Sequence, residues 1–354
     1  MKYATPVIKK NQPDDSYKYR PVPKPKGGYP YRLLLSDVMP EVSEDELIFH
    51  MAGDTGSVRR HERQQGVIDA MVSQYQAAGR PAFLYHLGDI VYHYGEESQY
   101  QQQFFKPFES YPAPIFAIAG NHDSDVNPDS ATAYHSLDAF AKVFCTGAPQ
   151  TIAFSGNRTR KSMVQPHIYW TLNTPLATII GMHSNVPKYG IVDADQRAWL
   201  VNELRAADTN KMLILCVHHA PYSADINHGA SLYMISLLEE VYREAGIRPD
   251  AVFSGHVHNY QRFSKSYADG TQTPYIVAGA GGFDELHSVA DTSDQMFTPD
   301  SPLFDGVALE NYCDDQHGFL KITLTRQNGG VKLAGEYYAT GRAEAVDSFT
   351  VFKG

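Results

Sequence analysis

Short runs of apolar residues recur along the chain and predict buried β-strands. Each run is continuous and only four to seven residues long, which is typical of a strand inside a core. Five of the runs end in polar residues, and these five are Leu47–Ala52, Ala82–Leu87, Ile115–Ala119, Lys211–Val217 and Ala251–Ser254. Two further runs, Ile168–Leu172 and Ala177–Met182, continue the same core.

Helical spacing of apolar residues appears between these strands. In residues 59–76, Val67, Ala70, Met71 and Tyr75 recur at the interval that places them on one face of a helix. Four other segments also predict helices, namely Glu96–Phe108, Leu137–Phe144, Asp193–Ala206 with Asp193 as its cap, and Ala230–Ala245.

Roughly the last hundred residues lose the helical spacing and predict strands joined by Gly, Asp and Asn turns. These strands are Pro274–Ala278, Phe319–Leu324, Leu333–Tyr338 and Ser348–Phe352. Strand–helix alternation followed by strands alone predicts an α/β (α+β) fold. Its expected form is a four-layer αββα sandwich of two mixed sheets flanked by helices.

The first 44 residues differ from the rest, because they are rich in Pro, Lys, Tyr and Asp and show no sustained period. We interpret residues 1–44 as an N-terminal arm that wraps the domain or stays mobile. Residues 45–354 are then expected to form a single domain, which is long enough to bury a large core.

Composition and charge narrow the class of protein. Hydrophobic residues make up 43% and charged residues 20% of the chain, as in globular proteins, and no apolar run reaches the roughly 18 residues of a membrane span. A net charge of −10 argues against nucleic acid as a general partner. The start, Met1–Pro6, lacks the apolar stretch of a secretory signal, so we expect a cytoplasmic protein or one whose leader was trimmed. The three separated cysteines predict no disulfide framework.

Residues able to bind metals follow the five strands named first. The motifs are Gly53-Asp54-Thr55-Gly56, Gly88-Asp89-Ile90-Val91-Tyr92, Gly120-Asn121-His122-Asp123, His218-His219-Ala220-Pro221 and Gly255-His256-Val257-His258-Asn259. Because ligands gather at the carboxyl ends of strands in an open α/β sheet, we expect these loops to build one metal site. Asp, Asn and His suit Zn, Mn and Fe(II), and a Tyr phenolate favours Fe(III). A carboxylate shared by two ions would hold them roughly 3.5–4 Å apart, the separation used for in-line attack on phosphorus.

Taken in order, the five motifs resemble those of the calcineurin-type metallophosphoesterase superfamily. Tyr92 and Asp54-Thr55-Gly56 make the chain most similar to the purple acid phosphatase branch, because most other branches have a histidine where Gly56 stands. The resemblance covers about residues 49–282, with a looser match in the C-terminal strands. It implies the metallophosphoesterase fold for the domain at 45–354.

The resemblance also implies roles for the motif residues. The implied ligands of a first metal ion, Fe(III), are Asp54, Tyr92 and His258. The implied ligands of a second ion, which is Fe(II), Zn or Mn, are Asn121, His219 and His256. Asp89 would bridge the two ions. His219 is the implied ligand because it directly precedes Ala220-Pro221. His122 would contact the phosphate and donate a proton to the leaving group. His228 falls where plant-type enzymes carry another substrate-facing histidine.

The implied activity is that of an acid phosphatase, in which metal-bound hydroxide attacks a small phosphomonoester directly. Two other functions stay open. One is a phosphodiesterase for cyclic nucleotides or small diesters, and the other is a metal-holding scaffold or sensor without turnover. Tyr92 and Gly56 favour the monoesterase, and the intact ligand set together with His122 argues against the scaffold.

Several of these residues also have a purely structural interpretation. Asp54 and Asp89 could cap turns after strands, and Tyr92 could pack with its hydroxyl satisfied. His218 is expected to pack or to support a ligand, and His228 could be a solvated loop residue.

A basic loop supplies a further candidate site. Arg158, Arg160 and Lys161 could clamp an anionic group of the substrate, because Arg binds phosphate through two parallel hydrogen bonds. The alternative is a loop whose charges are only solvated.

Overall fold

The computed structural model describes residues 1–76 and 79–354. The strands in these ranges are β1 (Ile8–Lys9), β2 (Arg32–Leu34), β3 (Glu46–Ala52), β4 (Leu84–His86), β5 (Ile115–Ala117), β6 (Trp170–Asn173), β7 (Ala177–Gly181), β8 (Met212–Cys216), β9 (Ala251–Ser254), β10 (Tyr260–Ser266), β11 (Gln272–Ala278), β12 (Phe297–Thr298), β13 (Val307–Cys313), β14 (Gly318–Gln327), β15 (Gly330–Ala339) and β16 (Asp347–Lys353). The α-helices are α1 (Leu35–Val38), α2 (His61–Ser73), α3 (Glu97–Tyr100), α4 (Asn121–Ser124), α5 (Asp138–Phe144), α6 (Ala194–Arg205) and α7 (Leu232–Ala245). A π-helix covers Gln101–Phe105, and 3₁₀ turns cover Ser16–Lys18, Gln74–Gln76, Pro107–Ser110 and Pro302–Phe304.

Two mixed sheets contain most of the strands. Within the described ranges, one sheet has eight strands in the order β13-β10-β11-β9-β8-β7-β6-β2, and the other has six in the order β16-β15-β14-β3-β4-β5. The central strands β7, β8 and β9 of the first sheet are parallel, as are β3, β4 and β5 of the second. Antiparallel strands flank both parallel groups, so each sheet is mixed as predicted.

Alternate residues of the central strands face two different cores. In β8, Met212, Ile214 and Cys216 lie in the core between the two sheets, whereas Leu213 and Leu215 pack against α6 and α7. Helices α2 and α5 cover the outer face of the second sheet in the same way. A strand with two buried faces needs apolar residues at every position, which explains the continuous apolar runs. The predicted αββα sandwich is confirmed.

The predicted helices form with shorter ends. Asp193 accepts a hydrogen bond from Gln196 N at 2.8 Å, so it caps α6 as predicted. The segment 96–108 is divided into α3, the π-helix and a 3₁₀ turn, where the prediction has one helix. Among the described residues, no helix has the length and apolar character needed to span a bilayer.

Strands β2, β10 and β13 are absent from the prediction. β13 alternates buried or half-buried residues with exposed ones at the edge of its sheet, and the second half of β10 is only partly buried. Neither strand needs a continuous apolar run, because only part of its surface is covered. β2 is three residues long, which is too short to give a period.

The N-terminal arm lies against the domain. β2 pairs in parallel with β6, and Leu33 and Leu35 belong to the core between the sheets. Further upstream, β1 pairs with β12, and Val7 is completely buried. The domain boundary at residue 44 stays a prediction, but β2 of the arm is part of the eight-stranded sheet.

We expect Arg32→Leu to lower the free energy of unfolding by about 2 kcal/mol, because it leaves a buried carboxylate without its cation. Arg32 Nη2 and Nε lie 2.9 and 3.0 Å from the Glu203 oxygens, and the Glu203 side chain is only 2% exposed. Urea denaturation measures the change. Arg32→Leu combined with Glu203→Leu should restore part of the stability. Unchanged stability in Arg32→Leu alone would mean that this ion pair does not stabilise the folded domain.

Candidate metal centre

The candidate ligands follow strands of both sheets. β3, β4 and β5 run parallel and lead to Asp54, Asp89 and Asn121, respectively. In the other sheet, the parallel neighbours β8 and β9 lead to the two histidine motifs. Because the carboxyl ends of parallel strands lie at the same edge of a sheet, the five loops meet where the two sheets face each other.

The side chains of Asp54, Tyr92 and His258 form one group. Tyr92 Oη lies 3.2 Å from Asp54 Oδ1 and 3.3 Å from His258 Nε2, and the latter two atoms are 3.6 Å apart. All three side chains are buried. A carboxylate, a phenol and an imidazole at these distances can bind one metal ion.

A second group lies beside the first. Asn121 Oδ1 is 2.9 Å from His256 Nδ1 and 3.1 Å from His218 Nε2. The same His218 nitrogen is 3.3 Å from Asp89 Oδ2. Asp89, His218 and His256 each offer a ligand atom within 4.8 Å of the others. The His256 N–H donates to Asp54 Oδ2 at 2.8 Å, so the two groups are directly connected.

His218 and His219 both reach this second group. Ser184 Oγ lies 2.8 Å from Nδ1 of His219, and the His219 ring is 4.3 Å from the His256 ring, centroid to centroid. His218 Nδ1 lies 2.8 Å from the Leu87 carbonyl, which directs its Nε2 towards the carboxylate and amide described above. The sequence favoured His219 as the ligand, and the structure places both imidazoles at the centre. Which of them binds metal stays a prediction.

Several imidazole nitrogens at the centre are buried without a hydrogen-bond partner among the described residues. They are His219 Nε2, His228 Nδ1, His256 Nε2 and His258 Nδ1. Such an unpaired polar atom costs about 1–3 kcal/mol, and a bound cation removes that cost. Burial lowers the pKa of His219, His256 and His258, which keeps their nitrogen lone pairs available. The residues therefore fit metal ions.

The pKa values of the acidic groups also depend on this arrangement. Burial raises the pKa of Asp54 well above its ordinary value. Burial opposes the charged form of Asp89 as well, but His218 and His122 lower the pKa of Asp89 overall. In turn, burial acts to lower the pKa of His218, but Asp89 raises it to about 9. Asp89 is therefore the negative charge around which the second group is arranged.

Three candidate ligands have a left-handed backbone conformation. φ is 58° at Asp54, 55° at Asp89 and 68° at His256. This conformation costs roughly 1–2 kcal/mol for a residue with a side chain, and it persists where the surrounding structure requires it. Strain of this kind concentrates at functional sites, which agrees with the position of the three residues.

Two buried polar residues that were given no role from the sequence fix the ligand loops. Asp123 accepts hydrogen bonds from Gly120 N at 2.8 Å and Ile90 N at 3.0 Å, so it joins two motifs. Gln103 accepts from Tyr92 N at 2.9 Å and donates to Tyr92 O at 2.6 Å. Asp123 was visible within a motif. Gln103 stands in a run of glutamines, and no sequence pattern distinguishes it from its neighbours.

A loop after β11 covers the first group. The Phe283 ring lies 4.1 Å from the Tyr92 ring and 4.5 Å from the His258 ring, and His287 stacks on His258 at 4.6 Å, all between centroids. Neither residue belongs to one of the five motifs. They form an aromatic wall of the centre.

Both candidate catalytic histidines lie at the centre. The His122 N–H donates to Asp89 Oδ1 at 2.9 Å, and its Nδ1 lies 2.8 Å from the His93 carbonyl. The His228 ring is 4.2 Å from the His256 ring, centroid to centroid. His228 is therefore in contact with a candidate ligand.

A model of the calcineurin-like phosphoesterase family matches residues 33–260, which is more than half of the chain and includes all five motifs. The chain belongs to this family.

Curated relatives of this calcineurin-like phosphoesterase include purple acid phosphatases. It is 32% identical over 128 residues to purple acid phosphatase 21 of Arabidopsis thaliana, a match that covers 34% of this chain and 28% of the relative. It is 26% identical over 213 residues to purple acid phosphatase 15 of the same plant, covering 56% and 36%, respectively. The matches thus span about a third of these relatives. The purple acid phosphatase-like resemblance is confirmed.

Solved structures share the metallophosphoesterase fold. The phosphoesterase superimposes on purple acid phosphatase PPD1 from yellow lupin (Lupinus luteus) seeds with a TM-score of 0.62 and 17% identity, covering 87% of this chain and 54% of the other. It superimposes on GAP50, the anchor in the inner membrane complex of Plasmodium, with a TM-score of 0.57 and 12% identity, covering 88% and 90%. At these identities the likeness concerns the fold alone.

Gly56 is closely packed against the Tyr92 ring. A Cβ atom at Gly56 would lie 2.8 Å from Tyr92 Cδ2 and 2.7 Å from the Ile90 carbonyl oxygen. Any side chain at this position would therefore require the Tyr92 ring or the Ile90 backbone to shift. The glycine and the tyrosine form a matched pair.

The basic loop is not brought to the centre. Arg160 donates to three main-chain carbonyls within residues 108–113, Arg158 pairs with Glu109, and Lys161 donates to a threonine hydroxyl. In the described part of the phosphoesterase, none of the three side chains forms a hydrogen bond with a candidate ligand. The expected clamp is not supported, because these cations hold the loop to its own neighbours.

Proposed function

We propose that this phosphoesterase hydrolyses phosphoric monoesters at a centre that holds two metal ions. The observation that carries the proposal is the convergence of two adjacent donor groups. Asp54, Tyr92 and His258 place their donor atoms within 3.6 Å of one another, and His256 N–H links Asp54 to the second group at 2.8 Å. Asp89 belongs to the second group and is the carboxylate suited to bridge both ions.

Asp54, Tyr92 and His258 would hold an Fe(III) ion. Asn121, His219 and His256 would hold the second ion, which is Fe(II), Zn or Mn. Asp89 would bind both ions. A phenolate supports the trivalent ion, because a hard cation of high charge can displace the phenol proton. When bound, the ions supply Lewis acidity, which polarises the phosphoryl group and makes water nucleophilic near neutral pH.

His122 is the residue that would donate a proton to the leaving group. With Nδ1 donating to the His93 carbonyl at 2.8 Å, its Nε2 is the nitrogen left to carry a proton to an oxygen of the substrate. Burial lowers the pKa of His228, so His228 would contact the phosphate as a neutral imidazole. The two histidines therefore have different roles in the proposal.

Fold likeness does not by itself imply turnover, since the GAP50 structure is described as an anchor. The candidate ligands and His122 of this chain support the enzyme over a scaffold. The monoesterase is favoured over the diesterase because a dianionic phosphoryl group brings more charge to two cations and His122.

We expect the purified protein to contain two metal ions per chain and to hydrolyse p-nitrophenyl phosphate with a kcat/KM about tenfold or more above that for bis(p-nitrophenyl) phosphate. A visible absorption band from tyrosinate bound to Fe(III) should be present and should disappear in Tyr92→Phe. Metal analysis, absorption spectra and steady-state kinetics measure these three properties.

Each part of the proposal can fail separately. A colourless protein that contains only Zn or Mn would contradict the Fe(III) assignment and leave hydrolysis standing. Faster hydrolysis of the diester would establish the phosphodiesterase instead. Two bound metals without hydrolysis of either ester would favour the scaffold.

A further inference from the structure

The N-terminal arm crosses the loop that carries His228. Val7 N donates to the Ser223 carbonyl at 2.8 Å, and the Val7 carbonyl accepts from Ala230 N at 2.8 Å. The Val7 side chain is completely buried. The arm is therefore fixed against both ends of this loop, although residues 1–32 precede the segment that matches the family.

Lys9 brings a positive charge to the same loop. Its Nζ donates to the carbonyl of Asn227 at 3.3 Å, directly beside His228 in the sequence. The His228 ring in turn lies 4.2 Å from the ring of His256, centroid to centroid. Lys9 Nζ thus contacts the residue that precedes His228, and the His228 imidazole contacts a candidate ligand.

Lys188 approaches from another direction. It belongs to a turn in which Gly190 N donates to the Pro187 carbonyl at 2.7 Å. The turn packs on His219, because a Cβ atom at Gly190 would lie 3.1 Å from His219 Nδ1. Lys188 N also donates to Asp15 Oδ1 at 2.6 Å, so the arm is attached to this turn as well.

Lys18 and Lys188 both lie beside Asp15, because the Lys18 N–H donates to the Asp15 carbonyl at 2.9 Å and the Lys188 N–H donates to Asp15 Oδ1 at 2.6 Å. Burial and then the positive charge of Lys9 lower the pKa of Lys188, Lys18 adds to this effect, and Asp15 opposes it. Three ammonium groups and one carboxylate leave an excess of two positive charges, in a chain whose net charge is −10. An excess of this kind favours an anion of opposite charge.

We propose that Lys9, Lys18 and Lys188 form a subsite for a second phosphate group of the substrate, next to the candidate metal centre. A phosphate group carries about two negative charges near neutral pH, which matches the excess of the lysine cluster. This inference rests on the proposed function and narrows it to phosphomonoesters that carry a further phosphate. The metal centre would bind the group to be cleaved, and the lysine cluster the group that stays on the product.

Calorimetry with two matched probes tests the subsite without requiring turnover. The probes are propylphosphonate, with one anionic group, and 1,3-propylenediphosphonate, with two. In Lys9→Gln/Lys188→Gln holoprotein, we expect the Kd of the diphosphonate to rise about tenfold and that of the monophosphonate to change less than about twofold. Lys9→Arg/Lys188→Arg, which keeps both charges, should retain most of the affinity for the diphosphonate.

The control is Lys106→Gln/Lys332→Gln, which removes the same charge. Within the described residues, neither of these side chains forms a hydrogen bond or an ion pair, and both probes should bind this variant as they bind the wild type. Equal affinities for the diphosphonate in wild type and Lys9→Gln/Lys188→Gln would overturn the subsite, as would equal weakening of both probes. Failure of the wild type to hydrolyse p-nitrophenyl phosphate would instead contradict the proposed function and leave the binding comparison intact.

Discussion

Asp89→Asn is expected to lower kcat/KM for p-nitrophenyl phosphate by about a thousandfold or more, which corresponds to roughly 4 kcal/mol of transition-state stabilisation. Asp89 Oδ1 accepts from His122 N at 2.9 Å, and Oδ2 lies 3.3 Å from His218 Nε2. The carboxylate therefore connects the candidate proton donor with the second ligand group. An amide of the same shape removes its negative charge, and two cations held close together need that charge to reduce their repulsion.

Metal analysis separates this explanation from a loss of folding. Asp89→Asn should bind less than two metal ions per chain, and its cooperative unfolding transition should persist. Asp129→Asn is the matched control, because Asp129 is exposed, and its kinetics and metal content should equal those of the wild type. An Asp89→Asn protein with both ions and undiminished turnover would refute the bridging role.

The strands that place the ligands could be predicted because each of them is buried on both faces. β8 and β9 need apolar residues at consecutive positions, and such runs stand out in a sequence. The same reasoning could not find β13, which is only partly covered at a sheet edge, or the three-residue β2. Sequence patterns report burial, so strands with little burial escape them.

The order of the motifs predicted which loops meet, but it could not predict that the His218 ring also reaches the centre. His219 precedes Ala220-Pro221, and this spacing indicated the ligand. The approach of His218 to Asp89 depends on the Leu87 carbonyl that holds its other nitrogen. That carbonyl comes from a different sheet, and no local pattern encodes such a contact.

Residues that support the centre were the hardest to predict. Ser184 lies 2.8 Å from His219, and Gln103 holds the backbone of Tyr92, yet both are ordinary polar residues in their own segments. Lys9 and Lys188 are 179 positions apart and become neighbours only through the docked arm. Their roles follow from tertiary structure, where distant parts of the chain are brought together.

Gly120→Ala is expected to displace Asp89 and to lower kcat/KM about a hundredfold or more, with a loss of about 1–3 kcal/mol in the free energy of unfolding. A Cβ atom at Gly120 would overlap the Asp89 carboxylate and would lie 2.7 Å from Asp89 Cγ. The backbone of Gly120 itself, with φ −93° and ψ −173°, is open to alanine. The effect must therefore come from the collision with Asp89.

Gly147→Ala provides the matched control, because a Cβ atom there meets nothing within 4 Å. It should keep the metal content, the turnover and the stability of the wild type. Steady-state kinetics, metal analysis and urea denaturation of both variants measure the difference. If Gly120→Ala kept two metals and full activity, the centre would be able to move Asp89 without cost. The close packing of Asp89 against the loop after β5 would then not be what determines its position, and the two-metal arrangement would have to depend on the other candidate ligands.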